Sequence, residues 1–241
     1  RDEDVVQRTL SILGSRGNSY EAMVSAPVGR GVSERYAFLW RPGRVTSLEM
    51  GAVVPDPDDA FIREPFYASF RAGAFDFTLV TIHSIFGDRI GDRRAEAMLL
   101  DEVYQTIQDQ DPNEQDVILL GDFNLPPEDS GFLRLRELLT PLFTGNRYTT
   151  ISEGAESLYD NIWFDHEHVG EYTGVNGIDA FDVSVFGNDD DAASLAVSDH
   201  RPIWANFSTN ADDDGSSAPT PIDQSPWGHV KTHPSRMGAG F

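Results

Sequence analysis

Apolar positions along the chain change period several times, and each change marks an element. In residues 1–14, Val5, Val6, Leu10, Ile12 and Leu13 fall at near-helical spacing before Gly14, which predicts a short amphipathic helix ending there. Residues 20–26, 36–40 and 45–50 read as successive strands with Gly and Pro turns between them. Residues 66–70 and 75–83 predict a hairpin: Phe75, Phe77, Leu79 and Thr81 alternate, Ala72-Gly73-Ala74 supplies the turn, and His83 closes the second strand. Over 92–108 the period lengthens, with Ala95, Leu99, Val103 and Ile107 four apart and Leu100 and Tyr104 beside them, as in a helix lying on a sheet.

Next comes Asp116-Val117-Ile118-Leu119-Leu120-Gly121-Asp122-Phe123-Asn124-Leu125-Pro126-Pro127. Val117 to Leu120 is an apolar run bounded by Gly and Pro, the pattern of a strand buried on both faces that stops abruptly. A helix is expected over 129–139, and strands over 158–164 and 203–207, with acidic loops between them such as Asn188-Asp189-Asp190-Asp191. Beyond Phe207 the composition turns to Asp, Ser, Pro, Gly and Thr. Residues 208–241 therefore predict a disordered tail or linker, acidic and rich in Pro, Ser and Gly. Many strands with few helices point to an α/β domain over 1–207, built as two packed, mainly antiparallel sheets flanked by helices.

The abrupt strand end carries candidate chemistry. Asp122 and Asn124 are two apart on extended chain, so a carboxylate and an amide oxygen point the same way, as a hard cation requires. Gly-Asp-x-Asn is also ordinary turn chemistry, with Asx side chains bonding nearby backbone. Three further stretches carry residues that phosphoryl transfer uses: Thr81-Ile82-His83-Ser84, Ser157-Leu158-Tyr159-Asp160-Asn161 and Val197-Ser198-Asp199-His200-Arg201-Pro202. Each alone fits a structural role. Together they supply what a phosphodiester needs: a divalent cation against its charge, and His and carboxylate groups to move protons at neutral pH.

Charge narrows the field further. The net charge is −22, from 40 acidic against 18 basic residues. Such a field repels nucleic acid and argues against a non-specific DNA coat, though a local cation and Arg cluster can offset it at one site. An acidic surface with Lys231 as its only Lys also suits high salt. Cysteine is absent, so disulfide and thiolate chemistry are excluded. No apolar run is long enough to cross a bilayer. Residue 1 is Arg, which leads us to expect a longer protein upstream. His166 and His168 lie in an acidic loop and His229 and His233 in the tail, and none is expected at the site.

These ordered motifs resemble the endonuclease/exonuclease/phosphatase superfamily, in its deoxyribonuclease I-like branch. The resemblance covers 1–207 and runs through Ser33-Glu34-Arg35-Tyr36 with Arg41-Pro42, Arg63-Glu64-Pro65, His83, Gly121-Asp122-Phe123-Asn124, Tyr159-Asp160 and Ser198-Asp199-His200. It implies a four-layer α/β sandwich with the site at one rim of the two sheets. It further implies His200 as general base or phosphate contact oriented by Asp160, and His83 paired with Glu34 and placed to protonate the leaving oxygen. Asp122, Asn124 and Asp199 would hold Mg²⁺, with Mn²⁺ or Ca²⁺ as alternatives. Asn124, His200 and Arg63 would bind the scissile phosphate, Arg63 through its fork of donors. A family strand carrying an Asn, and a Gln-Glu-Val segment whose Glu is a principal metal ligand, would lie just before Arg1. The chain is thus expected to be an N-terminally truncated fragment.

The expected activity is a Mg²⁺-dependent phosphodiester hydrolase, an endonuclease acting on DNA. The alternatives are a phosphatase, a phospholipid or sugar-phosphate diesterase, or a non-catalytic fragment. No aromatic stands in the 29–33 loop to stack in a minor groove, which bears on duplex DNA as substrate. A monomer is expected; a secreted or periplasmic location is what the resemblance alone implies.

Overall fold

The computed structural model describes residues 2–29, 34–151 and 156–214. The elements are α1 (Asp2–Ser15), β1 (Glu21–Val24), β2 (Ala37–Trp40), β3 (Thr46–Ser47), β4 (Ala52–Val53), β5 (Phe66–Ala72), β6 (Phe75–His83), α2 (Ile90–Ala97), α3 (Leu100–Gln108), β7 (Val117–Asp122), β8 (Thr140–Pro141), β9 (Asp160–Phe164), β10 (Tyr172–Ile178), α4 (Phe181–Ser184), α5 (Asp190–Ala196) and β11 (Ile203–Phe207). The main sheet runs β3-β5-β6-β7-β9-β8, with β4 also on β5. Its pairs are antiparallel except β6 with β7.

Strand alternation assigns the two faces of this sheet. Tyr67, Val80, Val117, Leu119 and Trp163 pack under α2 and α3, against Ala97, Leu100, Val103 and Ile107. The opposite face, with Phe77, Leu79, Ile118, Ile162 and Phe164, lies under Ile203, Ala205 and Phe207 of β11 and Ile178 of β10. Over β5, Phe38 and Trp40 of β2 pack on Phe66 and Phe70. The expected packed sheets are present, but the second layer consists of two separate ribbons, β1-β2 and β10-β11. Beside β11 an apolar slot of about 370 Å³ remains, lined by Phe77, Leu79, Ile118, Leu120, Ile203 and Phe207 among others.

Several expectations need correction. The first helix runs through Gly14 to Ser15 and turns at Gly17, whose φ of 79° is left-handed. The helix expected over 92–108 is two helices, broken at Met98 and Leu99. The helix expected over 129–139 is a pair of 3₁₀ turns, Ser130–Phe132 and Leu135–Glu137. Gly131 there lies so close to α2 that an added Cβ would stand 3.1 Å from Ala97 Cβ, and the forked Arg94–Asp129 pair at 2.8 and 2.9 Å anchors the turn. β10 escaped notice because Gly174 and Gly177 interrupt its alternation. The acidic run near Asn188 opens α5, whose N-cap Asp189 accepts from Ala192 N at 3.0 Å, with Asp190 and Asp191 in its first turn.

The strand expected over 158–164 starts at Asp160. Past Phe207 the chain stays packed as far as residue 214: Thr209 O accepts from Ala74 N at 3.0 Å, and Asp214 accepts from Gln115 N at 2.6 Å. The rest of the expected tail, with His229 and His233, lies outside the described residues, as do residues 30–33 of the expected groove loop. Among the described residues no helix is long and apolar enough to cross a membrane.

Candidate active site

Sheet register alone brings three of the predicted side chains together. His83 pairs with Asp122 across β6 and β7, and Asp122 pairs with Asp160 across β7 and β9, so the three stand on neighbouring strands at one edge of the sheet. Gly121 permits this closeness: its φ is 138°, and a Cβ there would run into Ile82 O of β6. Asn124 turns the chain out of the strand with φ 50°, a conformation Asn tolerates.

Around this edge lie two imidazole–carboxylate pairs. His83 Nδ1 is 2.9 Å from Glu34 Oε2, and His200 Nδ1 is 2.7 Å from Asp160 Oδ2. The remaining nitrogens converge, with His83 Nε2 at 3.8 Å and His200 Nε2 at 3.9 Å from the same oxygen, Asp122 Oδ2. Asp122 Oδ1 accepts from Asn124 N at 2.8 Å. Asn124 Nδ2 donates to Ser84 O at 2.8 Å, so its acceptor for a ligand is Oδ1. These groups open onto a cleft of about 510 Å³, also lined by Phe86, Thr150, Glu156, Ser157, Tyr159 and Asp199.

Electrostatics separates the members. The hydrogen bond to Asp160 outweighs burial and pushes His200 up to about 9, with the charges of Asp160, Asp122 and Asp199 adding to it. Asp122 is raised by burial and by the charge of Asp160 beside it. Burial opposes a low value for Glu34, yet the Arg63 hydrogen bond and the charges of His83 and Arg63 carry it below the ordinary Glu range.

Arg63 and Asp199 take different places around the cleft. Arg63, expected on the substrate phosphate, places Nη2 2.7 Å from Glu34 Oε1 and does not line the cleft. It stands behind the His83 pair and holds Glu34 in place. Asp199 lines the cleft, where one possible ligand atom from each of Asp122, Asp160 and His200 also lies within 4.8 Å of the others. The expected set of Asp122, Asn124 and Asp199 offers oxygen donors only, which fits Mg²⁺. His166 stacks on Phe164 at 4.4 Å, and His168 Nδ1 sits 2.9 Å from Asp165, so neither contributes.

Supporting residues escaped the sequence reading. Buried Glu96 accepts from Ile62 N at 2.8 Å and from Ile85 N at 2.7 Å, tying the loop before Arg63 to the one after His83. Tyr36 Oη accepts from His83 N at 3.0 Å. Thr149 Oγ1 accepts from Tyr159 N and Asp160 N, both at 3.0 Å, and sets the start of β9. Arg201 grips buried Asp182 through two bonds of 2.8 and 2.6 Å and so steadies the chain after His200. Glu96 and Asp182 carry one weak signal, an acidic residue amid apolar neighbours. Phe86, 70% exposed on the cleft wall, had none.

Comparison with known proteins identifies the family that this fold belongs to. The profile of the Endonuclease/Exonuclease/phosphatase family matches residues 8–200, a span that holds Glu34, His83, Asp122, Asn124, Asp160, Asp199 and His200. A deoxyribonuclease from Thioalkalivibrio sp. (strain K90mix) is 36% identical over 205 residues, 80% of this chain and 56% of that protein. Deoxyribonuclease-1 of Bos taurus is 28% identical over 200 residues, 77% of this chain and 69% of its own length. This chain therefore spans little more than half of the bacterial relative. Among solved structures, ANGEL2, a 2′,3′-cyclic phosphatase, shares the fold with a TM-score of 0.58 at 13% identity, over 85% of this chain and 77% of that one.

Proposed function

The chain belongs to the endonuclease/exonuclease/phosphatase family, and from that premise we propose that it hydrolyses phosphodiesters of DNA with the aid of Mg²⁺. The observation that carries this reading is the approach of two carboxylate-backed imidazoles to one carboxylate, Asp122 Oδ2, inside an open cleft. The deoxyribonuclease relatives support DNA as the substrate, and exposed Phe86 offers a base a stacking surface.

Asp122, Asn124 Oδ1 and Asp199 would hold the cation. When bound, it would neutralise charge on the scissile phosphate and acidify the attacking water. His200, held by Asp160 through Nδ1, presents Nε2 to contact the phosphate or to take the proton of the attacking water. His83, its Nδ1 engaged by Glu34, presents Nε2 and passes a proton to the leaving oxygen. Arg63 acts through Glu34 as a positioning residue.

Nicking of supercoiled plasmid by the purified protein, with MgCl₂ and then with EDTA, tests the proposal. His200→Ala is expected to lose about 10³-fold in rate. Undiminished cutting by that variant would eliminate the mechanism. The acidic wall formed by Glu156 and Asp199 favours a second reading, a smaller phosphodiester or phosphomonoester as substrate. A substrate panel in which DNA stays intact while a small ester is hydrolysed would establish it instead.

A further inference from the structure

At the end of β7 away from the cleft, the chain gathers carboxylates that the mechanism leaves unused. Asp116 immediately precedes β7, Glu114 stands two residues before it, Glu171 immediately precedes β10, and Asp213 and Asp214 follow β11. One oxygen from each of Glu114, Asp116 and Asp214 lies within 4.8 Å of the others, and the same holds for Asp116, Glu171 and Asp213. Asp116 is shared by both groups and sits at their centre.

Asp116 itself supplies an independent sign of a ligand. It is 0% exposed, and among the described residues neither of its carboxylate oxygens meets a hydrogen-bond donor. Glu171, 5% exposed, also keeps Oε2 without one. Buried carboxylate oxygens in native proteins find a partner, because an isolated buried charge costs far more than one hydrogen bond returns. Here the nearby backbone donors are committed to the neighbours. Asp116 N donates to Glu114 at 2.8 Å, Gln115 N to Asp214 at 2.6 Å, and Gly170 N to Asp213 at 3.2 Å. Arg71, on β5, is held by Asp76 at 2.7 Å.

We propose that this cluster is a structural site for a hard divalent cation of the calcium class, with Asp116 at its centre and Glu114, Glu171, Asp213 and Asp214 around it. The donors are all oxygens and come from flexible carboxylates, which suits the six to eight ligands and loose geometry of Ca²⁺ better than the strict octahedron of Mg²⁺. Burial and the like charges of its neighbours push Asp116 up to about 9, so without a cation this carboxyl holds a proton at neutral pH. The ligands come from the entry to β7, the entry to β10 and the segment after β11. A bound cation therefore ties residues 208–214 and the β10-β11 ribbon to the main sheet. The site is independent of the phosphodiesterase reading.

Thermal unfolding of the metal-stripped protein, titrated with CaCl₂ and separately with MgCl₂, tests it. CaCl₂ is expected to raise the midpoint by on the order of 5 °C once well above its dissociation constant. That shift persists in Asp122→Asn, which alters only the cleft, and vanishes in Asp116→Asn. Asp213→Asn, at an exposed ligand, weakens the calcium response without threatening the fold and serves if Asp116→Asn fails to fold. The proposal is overturned by no shift in the wild type, by an equal shift with MgCl₂, by a shift that survives both cluster variants, or by one lost only in Asp122→Asn.

Discussion

Asp122 and Asp116 bracket the same buried strand, yet the protein treats the two carboxylates in opposite ways. Around Asp122 each negative charge has a titratable partner: two imidazoles face its Oδ2, and each imidazole is backed by a further carboxylate. Around Asp116 the acids face one another, with no imidazole among the described residues of the cluster. Alternating acids and imidazoles make a network that can move protons, because every group has a neighbour able to take or give one. An all-acid cluster can only import positive charge, as protons or as a metal ion. The contrast separates a place for chemistry from a place for a structural ion, although both lie on β7 and are acid-rich.

Among the residues that back the network, the larger effect lies behind His200. Asp160→Asn removes the charge that holds His200 up at about 9 and leaves its tautomer free, so nicking is expected to fall by about 10²-fold. The same variant should leave the calcium-induced rise in melting temperature intact. A smaller loss, about tenfold, is expected for Glu34→Gln, because the amide still reaches His83 but no longer draws Arg63 as a charge. An unchanged rate in both variants would mean that the imidazoles are not the working groups.

The smallest effect is on stability against pH, read by thermal unfolding in chelator. Asp116 at about 9 and Glu114 at about 8 stand well above their unfolded values, so the folded state holds protons that the unfolded chain gives up. Stability is therefore expected to fall as pH rises from about 4 to about 9. The groups facing one another there are Glu114, Asp116, Glu171, Asp212, Asp213, Asp214 and Asp76, with Arg71 on Asp76. His200, raised to about 9, adds a loss confined to the window from about 6.5 to 9, since its stabilising charge is complete below the unfolded value. Asp116→Asn should flatten the broad slope and His200→Ala only the upper window.

Much of the catalytic end was legible in the sequence, because it is written in local motifs. Gly121 to Asn124 states a strand end, a close approach and two oxygen donors within four residues, and β6 closing on His83 follows from plain alternation. The pairing of His83 with Glu34 and of His200 with Asp160 came through resemblance and agrees with the geometry. The contact of Arg63 with Glu34 was not legible, because a guanidinium serves a phosphate or a carboxylate equally well and only the fold puts Glu34 within its reach. The far end of β7 was invisible. Its acids come from three segments, one of them in a stretch whose composition reads as disordered, and no spacing rule joins Glu114, Glu171 and Asp213.

The most direct measurement compares the two ends of β7 in one assay. Plasmid nicking in saturating MgCl₂, at a temperature where all proteins are folded, is run for the wild type, Asp122→Asn and Asp116→Asn. The account predicts a loss of about 10³-fold or more for Asp122→Asn and a rate within about twofold of wild type for Asp116→Asn. Robust cutting by Asp122→Asn, or an equal loss in both variants, would contradict it.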